Sequence, residues 1–324
     1  MKAVQLTGYE GLKSLQVVNV NPPKPGASEV LLQVKAAGIN FAEIELTKGR
    51  YVIPKQPPFI MGFEASGVVA EVGSQVKNVS VGDKVTALVS SGGYAEYAIA
   101  DASFAIPIPS GLSFAEAVTI PVQGISAYTL LKFAARPQPT ESLLIQAAAG
   151  GVGLYLVQLA KLMGAGKVIA LAGSTEKTDL VRSLGADVAI NYNDRNWVDQ
   201  VNHATGNQGV DIVLEAASGE IGKESFKLAA PFGRIVVFGA KNIHDTLTSE
   251  EIQQLIYKNQ SLTGFNFPSL RPQQIAECIP DLLTMISQGK VKLFANHTFP
   301  LDEVEAAFKA LSSRQTIGKV VLVP

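Results

Sequence analysis

Hydrophobic and polar positions change rhythm about a third of the way along the chain. Up to about residue 100, short apolar and β-branched runs alternate with turn residues. Val30–Val34 follows the Pro/Gly-rich stretch Pro22–Gly26, and Ser66–Val72 stops at Gly73. The turn Val81-Gly82-Asp83 leads into Lys84-Val85, and Tyr94–Ala100 follows Gly92-Gly93. Short strands at this spacing predict a β-rich, partly closed domain. From Ser113 the rhythm is helical. Ser113–Leu131 predicts a helix capped by Ser113, with Glu116 completing a capping box, and divided in two by Pro121 and Gly124.

Strand and helix patterns then alternate. Leu143–Gln146 precedes a helix over Gly153–Met163, and Val168–Ala172 precedes one over Glu176–Leu184. Val188–Asn191, Ile212–Glu215 and Ile235–Gly239 are further strands. This alternation predicts an α/β fold with a doubly wound parallel Rossmann sheet. Beyond Phe267-Pro268 come a helix (Pro272–Ser287), the segment Leu301–Leu311 and a terminal strand, Lys319–Val323. That tail is too short to stand alone and is expected to return to the first domain. The expected division is 1–120 with 268–324, and 121–267.

Composition fits this picture. The 324 residues suffice for two cores. Hydrophobic residues at 47% and charged residues at 17% are ordinary globular values. Lys plus Arg number 27 and Asp plus Glu 28, so the basic excess of a general nucleic-acid or membrane-surface binder is missing. The single cysteine, Cys278, cannot form an internal disulfide, which suits a reducing compartment. Met1–Leu6 does not begin the apolar stretch of a signal peptide, and a cytoplasmic location is expected. One charge-free run, Ser142–Ala160, has the length of a membrane helix. Gln146, Gln158 and a mid-run glycine cluster make it read instead as a strand, a tight turn and a helix start.

That turn carries the chemistry. In Leu143-Leu144-Ile145-Gln146-Ala147-Ala148-Ala149-Gly150-Gly151-Val152-Gly153 the dinucleotide template G-x-G-x-x-G falls on Ala148, Gly150 and Gly153, with Ala in the first place. Gly150 would let backbone amides approach a pyrophosphate, and Gly153 would let the helix pack on the sheet. The helix N-terminus adds free N–H groups and partial positive charge. A glycine cluster that only packs a β-turn-α unit is the plain alternative; the flanking strand, helix and β/α repeat favour the nucleotide. A NAD site places an acid about 20 residues on, against the ribose 2′-OH. Here the second strand ends at Gly173-Ser174, with Lys177 following. Gly173 leaves room for a 2′-phosphate, Ser174 can donate to it and Lys177 can offset its charge, so NADPH is the expected cofactor. Helix capping by Ser174 and a solvated Lys177 are the plain readings of the same residues.

Metal and hydrolase chemistry lack their residues. Tetrahedral zinc is built mostly from Cys and His. Cys278, His203, His244 and His297 form no ligand-spaced cluster, and the three histidines read as surface residues. No G-x-S-x-G elbow occurs; Gly124-Ile125-Ser126-Ala127-Tyr128 ends in Tyr.

Several segments together resemble one family along nearly the whole length. Ala36-Ala37-Gly38-Ile39-Asn40-Phe41 is similar to the active-site segment of the zinc-free, zeta-crystallin-like quinone oxidoreductases of the medium-chain dehydrogenase/reductase superfamily. Zinc alcohol dehydrogenases of that superfamily have Cys where Asn40 stands. Met61-Gly62-Phe63-Glu64-Ala65-Ser66-Gly67 resembles their G-H-E segment, with Phe63 in place of the zinc-binding His, and their four-cysteine lobe is missing. Ala147–Gly153 matches the family's A-A-A-G-G-V-G turn.

The resemblance implies a GroES-like catalytic domain holding both termini and a central Rossmann domain. It implies Asn40 near the nicotinamide, and Gly173, Ser174, Lys177 and Tyr192 around the 2′-phosphate. It also implies Ser126, Phe238 and Gly239 along the cofactor, and Arg314 closing over it. Ala148, Gly150, Gly151, Val152 and Gly153 would hold the pyrophosphate. Bacterial members place Tyr six residues after the Asn; here the sixth residue is Leu46, the fifth Glu45 and the nearest tyrosine Tyr51. Glu45 and Tyr51 are therefore the expected substrate-side residues. The implied reaction is hydride transfer from NADPH to a quinone. Enone or 2-alkenal double-bond reduction and a largely non-catalytic, crystallin-like NADPH-binding role are the alternatives. A small-molecule acceptor is expected, with neither nucleic acid nor membrane as partner. The apolar segment Leu262–Phe267 predicts an edge strand that pairs with its copy in a homodimer.

Overall fold

In the computed structural model, residues 1–51, 56–89, 92–240 and 247–324 are described. The chain divides into two units, Met1–Gly124 with Lys292–Pro324, and Ile125–Val291. In the N-terminal part of the first unit the strands are β1 (Lys2–Leu6), β2 (Leu15–Asn19), β3 (Glu29–Ile39), β4 (Phe59–Ile60), β5 (Glu64–Val72), β6 (Lys84–Leu88), β7 (Tyr97–Asp101) and β8 (Ala105–Pro107). Two short helices, α1 (Phe41–Thr47) and α2 (Phe114–Ala117), complete it. β3 is the organiser: it pairs antiparallel with β5 and with β7. Its alternate residues Val30, Leu32 and Val34 are buried with Leu6, Val69, Val85 and Tyr94 in one apolar core.

The predicted Ser113–Leu131 helix is shorter and less regular than its pattern suggests. Ser113 and Glu116 form the capping box, but α2 ends at Ala117. A π-helical stretch, Ile120–Gly124, follows, because Pro121 has no N–H to donate to the α-helical ladder. The second unit then opens with α3 (Ile125–Thr129), another π-helical stretch, Leu130–Ala135, and β9 (Ser142–Ile145).

The β/α alternation follows: α4 (Gly151–Leu162), β10 (Lys167–Ala172), α5 (Thr175–Ser183), β11 (Val188–Asn191), α6 (Trp197–Ala204), β12 (Val210–Glu215), α7 (Gly219–Lys227), β13 (Ala229–Val237), α8 (Ser249–Tyr257) and β14 (Ser261–Gly264). The six strands form one sheet, ordered β11-β10-β9-β12-β13-β14, with every pairing parallel. That is the doubly wound Rossmann arrangement. Leu144, Ile169, Leu171, Val213 and Ile235 are wholly buried at its centre. β14 is the outer strand and largely exposed.

The predicted helix over Pro272–Ser287 is two helices, α9 (Pro272–Ala276) and α10 (Ile279–Ser287), separated just ahead of Pro280. Both lie in the second unit, so the unit boundaries fall at 124/125 and 291/292 where 120/121 and 267/268 are expected. Side chains explain the difference: Tyr128 on α3 donates to Asp281 on α10 at 2.8 Å, and Lys132 pairs with Glu277 at 3.6 Å. The tail then supplies β15 (His297–Pro300), α11 (Val304–Ser312) and β16 (Val320–Val323). β16 pairs antiparallel with β3, so the last strand completes the sheet of the first unit. No helix among the described residues is long and apolar enough to cross a membrane.

Candidate active site and nucleotide-binding turn

Asn40 follows β3 and is the N-cap of α1, where extended backbone turns into helix. Its backbone N–H donates to Glu43 Oε2 at 2.9 Å, the return half of a capping box. Its amide is held on both sides. Lys319 Nζ donates to Oδ1 at 2.6 Å, while Nδ2 donates to Glu64 Oε1 at 2.9 Å and to Glu43 Oε2 at 3.3 Å. Both Nδ2 hydrogens are thereby engaged, and Oδ1 keeps one lone pair. Asn40 consequently offers an acceptor, not the donor to a substrate oxygen that its residue type also permits.

Lys319 and Glu64 form an ion pair with no solvent exposure. Glu64 also accepts from the Val122 N–H at 2.9 Å, so it links β5 to the π-helical stretch. Gly38 makes room for the lysine: a Cβ there would lie 2.3 Å from Lys319 Cε. Burial pushes the Glu43 carboxyl up to about 7, against the pull of the Tyr94 hydroxyl, the Asn40 N–H and the Lys319 ammonium. Tyr94 is itself raised, by burial and by the neighbouring Glu43.

Glu64 stands in the Met61–Gly67 segment and Glu43 at the capping-box position, so both had local signals. Pattern alone, however, gives neither of them a partner. Lys319 had no such signal, since Asn40 is 279 positions away.

The two expected substrate-side residues differ. Tyr51 is half-buried, and its ring lies 6.4 Å from that of Phe63, tilted by 31°. Burial and the nearby Glu43 raise its hydroxyl to about 12. Glu45 is buried, and its two oxygens are taken by Lys48 at 3.0 Å and Arg50 at 2.8 Å. Its geometry is that of an ion-paired carboxylate bracing the end of α1. Arg314 follows α11 in the first unit, exposed and with a positive φ of 59°.

In the second unit, β9 passes into the turn at Gln146. Gln146 Oε1 accepts from the Ala216 and Ala217 N–H groups at 3.0 and 2.8 Å, while its Nε2 is buried with no partner. Ala147 takes a left-handed φ of 47°, and Ala148 donates its N–H to Leu171 O on β10. Gly150 is the N-cap of α4 and brings no side-chain cap, so amides of the first turn, at Gly151, Val152 and Gly153, face outward without an intrahelical acceptor. A Cβ at Gly153 would sit 2.2 Å from Ala147 O; only glycine lets α4 start this close to the strand. An uncapped helix start behind a glycine turn fits a pyrophosphate.

At the end of β10, the room beside Gly173 is taken by Tyr192, whose hydroxyl lies 2.5 Å from where a Cβ would be. Gly173 thus admits Tyr192, and its carbonyl accepts from Asn193 Nδ2 at 2.8 Å. Ser174 caps α5, accepting from the Lys177 N–H at 3.3 Å, and its own O–H can still donate. Lys177 is half-buried, and its pKa is lowered by burial against the opposing pull of Glu176. Ser126 is buried on α3, and Phe238 and Gly239 follow β13, half-buried.

Of the histidines, His203 is exposed and His244 lies outside the described residues. His297 departs from the surface expectation: it is half-buried in β15, and its Nε2 accepts from the Ile317 N–H at 3.0 Å.

Residues 26–110 match the family described as alcohol dehydrogenase GroES-like domain, and residues 151–287 that described as zinc-binding dehydrogenase. The quinone oxidoreductase-like protein 2 of Bos taurus is 34% identical, over 96% of this chain and 89% of that one. The synaptic vesicle membrane protein VAT-1 homolog of Danio rerio is 32% identical, over 99% of this chain and 69% of that one. The structure of the Escherichia coli quinone oxidoreductase complexed with NADPH superposes over all of both chains, with a TM-score of 0.91 and 29% identity. A GroES-like domain joined to a nucleotide-binding Rossmann domain defines a medium-chain dehydrogenase/reductase. Within that superfamily the chain belongs to the quinone oxidoreductase group.

One matched family is named for zinc, and the donor set here does not fit that metal. Among the described residues no three His, Cys, Asp or Glu side chains come together as ligands. Asn40 and Phe63 offer an amide and a ring, and the cation in contact with Glu64 is the Lys319 ammonium.

Proposed function

We propose that the protein is an NADPH-dependent oxidoreductase that delivers hydride to a quinone or a similarly electron-poor acceptor without zinc. The observation that carries this reading is the end of β10. Gly173, Ser174, Lys177 and Tyr192 stand where a NAD-specific unit would place a carboxylate. The glycine turn at Gly150–Gly153 supplies amides for the pyrophosphate, and the unpaired Gln146 Nε2 leaves a further buried donor beside it.

The cofactor supplies the hydride. Asn40 contributes through the spare lone pair on Oδ1, which suits the amide hydrogens of a nicotinamide carboxamide and makes Asn40 an orienting group. Tyr51, paired with Phe63, is the acceptor-side residue. An alkoxide forming from a simple aldehyde would lack a metal stabiliser. A quinone, or the β-carbon of an enone, needs less help.

The same reading includes a homodimer formed through the open edge of β14, and a reducing, cytoplasmic setting for buried Cys278. The test is NADPH oxidation with panels of quinones and conjugated enones. Quinone turnover supports the proposal. Turnover of enones alone makes the protein a double-bond reductase, and tight NADPH binding without turnover of either makes it a binding protein.

A further inference from the structure

Asn40, Glu43, Glu64, Tyr94 and Lys319 form a buried polar cluster in the first unit, and its charges do not balance when both carboxyls are ionised. Two carboxylates against one ammonium leave a negative charge with no contact to water. A buried charge without a counter-ion is costly enough that the group takes up a proton instead.

Hydrogen bonds decide which carboxyl carries that proton. Glu64 has both oxygens engaged: Oε1 accepts from Lys319 and Asn40, and Oε2 from the Val122 N–H. Glu43 has only one. Its Oε2 accepts from the backbone N–H and Nδ2 of Asn40, while Oε1 is buried without a partner. Ionised, Glu43 could satisfy that oxygen only by taking the Tyr94 hydrogen away from the Gly38 carbonyl. Protonated on Oε1, it becomes a donor, and an acceptor stands ready. The Tyr94 hydroxyl has the Gly38 carbonyl at 3.4 Å as an alternative acceptor; with its hydrogen there, its oxygen takes the proton of a neutral Glu43, whereas an ionised Glu43 would draw that hydrogen to itself.

We propose that Glu43 is a neutral carboxylic acid in the resting protein and, opposite Lys319, a positioning residue that fixes the amide of Asn40. Lys319 sets Oδ1, and Glu64 with Glu43 sets Nδ2, so the amide cannot turn over. Losing the proton from Glu43 places a second charge beside Glu64 and draws Nδ2 away from it, tilting Asn40. The groups facing Glu43 are Tyr94, Lys319, Glu64, the Asn40 amide and, at longer range, Tyr51. The positioning half rests on the proposed role of Asn40; the proton on Glu43 does not.

The test is carbon-13 NMR of the full-length protein labelled at the glutamate side-chain carboxyls, with and without NADPH. One glutamate should stay protonated after the others have ionised, with a midpoint near pH 7. Its signal should be absent in Glu43→Gln and displaced in Tyr94→Phe. If no glutamate of the wild type titrates near neutrality, or if the signal survives in Glu43→Gln, the proposal fails. Where Glu43→Gln does not fold, displacement of the wild-type signal in Tyr94→Phe makes the assignment, and a signal unmoved there overturns it.

Turnover tests the positioning half. Wild-type kcat should fall with the same midpoint, and Glu43→Gln, whose amide reproduces the neutral acid, should lose that fall. An unchanged pH profile in Glu43→Gln overturns the positioning role. If Asn40→Ala leaves turnover intact, it is the reading of Asn40 that fails, while the NMR result stands.

Discussion

Lys319 Nζ meets the carboxylate of Glu64 where neither side chain has any solvent exposure, tying the start of the last strand to the start of β5. The ammonium also holds Asn40, so one cation serves both the fold and the site. Removing it strands a buried carboxylate. Lys319→Met should lower unfolding free energy by about 3–5 kcal/mol at neutral pH. Lys319→Met with Glu64→Gln should recover part of that loss. Urea melts measure both, and a single-variant loss below about 1 kcal/mol would contradict a buried, charged pair.

Glu43 makes stability depend on pH in a defined direction. Its folded pKa is raised to about 7 from 4.5. Between those values the unfolded chain has released the proton and the folded chain keeps it. The stabilisation from this one group is therefore fully present below pH 4.5 and is lost as pH rises to about 7. The wild type should lose about 3 kcal/mol relative to Glu43→Gln across that window, with no further change above it. Comparing the two proteins removes the titration of all other groups. A difference that is flat with pH would mean that Glu43 ionises normally.

Local chemistry made much of the fold legible in the sequence. The phosphate turn, the capping box of Ser113 and Glu116 and the strands of the Rossmann sheet follow from neighbouring residues. The site was only half legible. Asn40 and the Gly173-Ser174-Lys177 run stand out because both sit at turns, where residue type is restricted. The partners that decide what Asn40 can do come from β5, from Tyr94 ahead of β7 and from the last strand, and no periodicity connects them. Pro280 likewise interrupts a helical pattern that reads as one helix over Pro272–Ser287.

Glu45 illustrates a position whose sequence context and geometry point in different directions. It follows Asn40 closely, as a substrate-side residue would, yet Lys48 and Arg50 occupy both of its oxygens. Glu45→Ala should cost about 1–3 kcal/mol through the lost charged hydrogen bonds and leave the Michaelis constant for the acceptor near wild type. Tyr51→Phe should do the reverse. Steady-state kinetics beside thermal melts separate the two, and an acceptor effect confined to Glu45→Ala would put Glu45 at the substrate.

β14 is hydrogen-bonded to β13 along one edge and ends the sheet order, leaving its other edge open among the described residues. Such an edge is a template for a second copy. Light scattering at micromolar concentration should report a dimer, and Thr263→Lys, which places a charge on that edge, should shift it toward monomer. A wild-type monomer would exclude this pairing.

The proposed cofactor choice turns on Lys177. The strand β10 ends without a carboxylate, Tyr192 fills the room beside Gly173, and Ser174 retains a hydroxyl hydrogen after capping α5. Lys177 is the cation of this group, half-buried, with its pKa lowered by burial. A lysine held in that setting gains from a phosphate, which restores the favourable surroundings its charge has lost. A charge-assisted hydrogen bond contributes roughly 1.5–3 kcal/mol, and each 1.4 kcal/mol is about a factor of ten in affinity. Lys177→Ala should therefore weaken NADPH binding by about ten- to a hundredfold. NADH lacks the 2′-phosphate, so its dissociation constant should barely move. General damage to the turn would weaken both cofactors equally, and that contrast isolates the phosphate contact. Added salt should erode the preference as well, because the pair is only partly shielded from water. Fluorescence titration of both cofactors in both proteins makes the measurement. Equal losses, or a wild type that prefers NADH, would remove the 2′-phosphate from the end of β10.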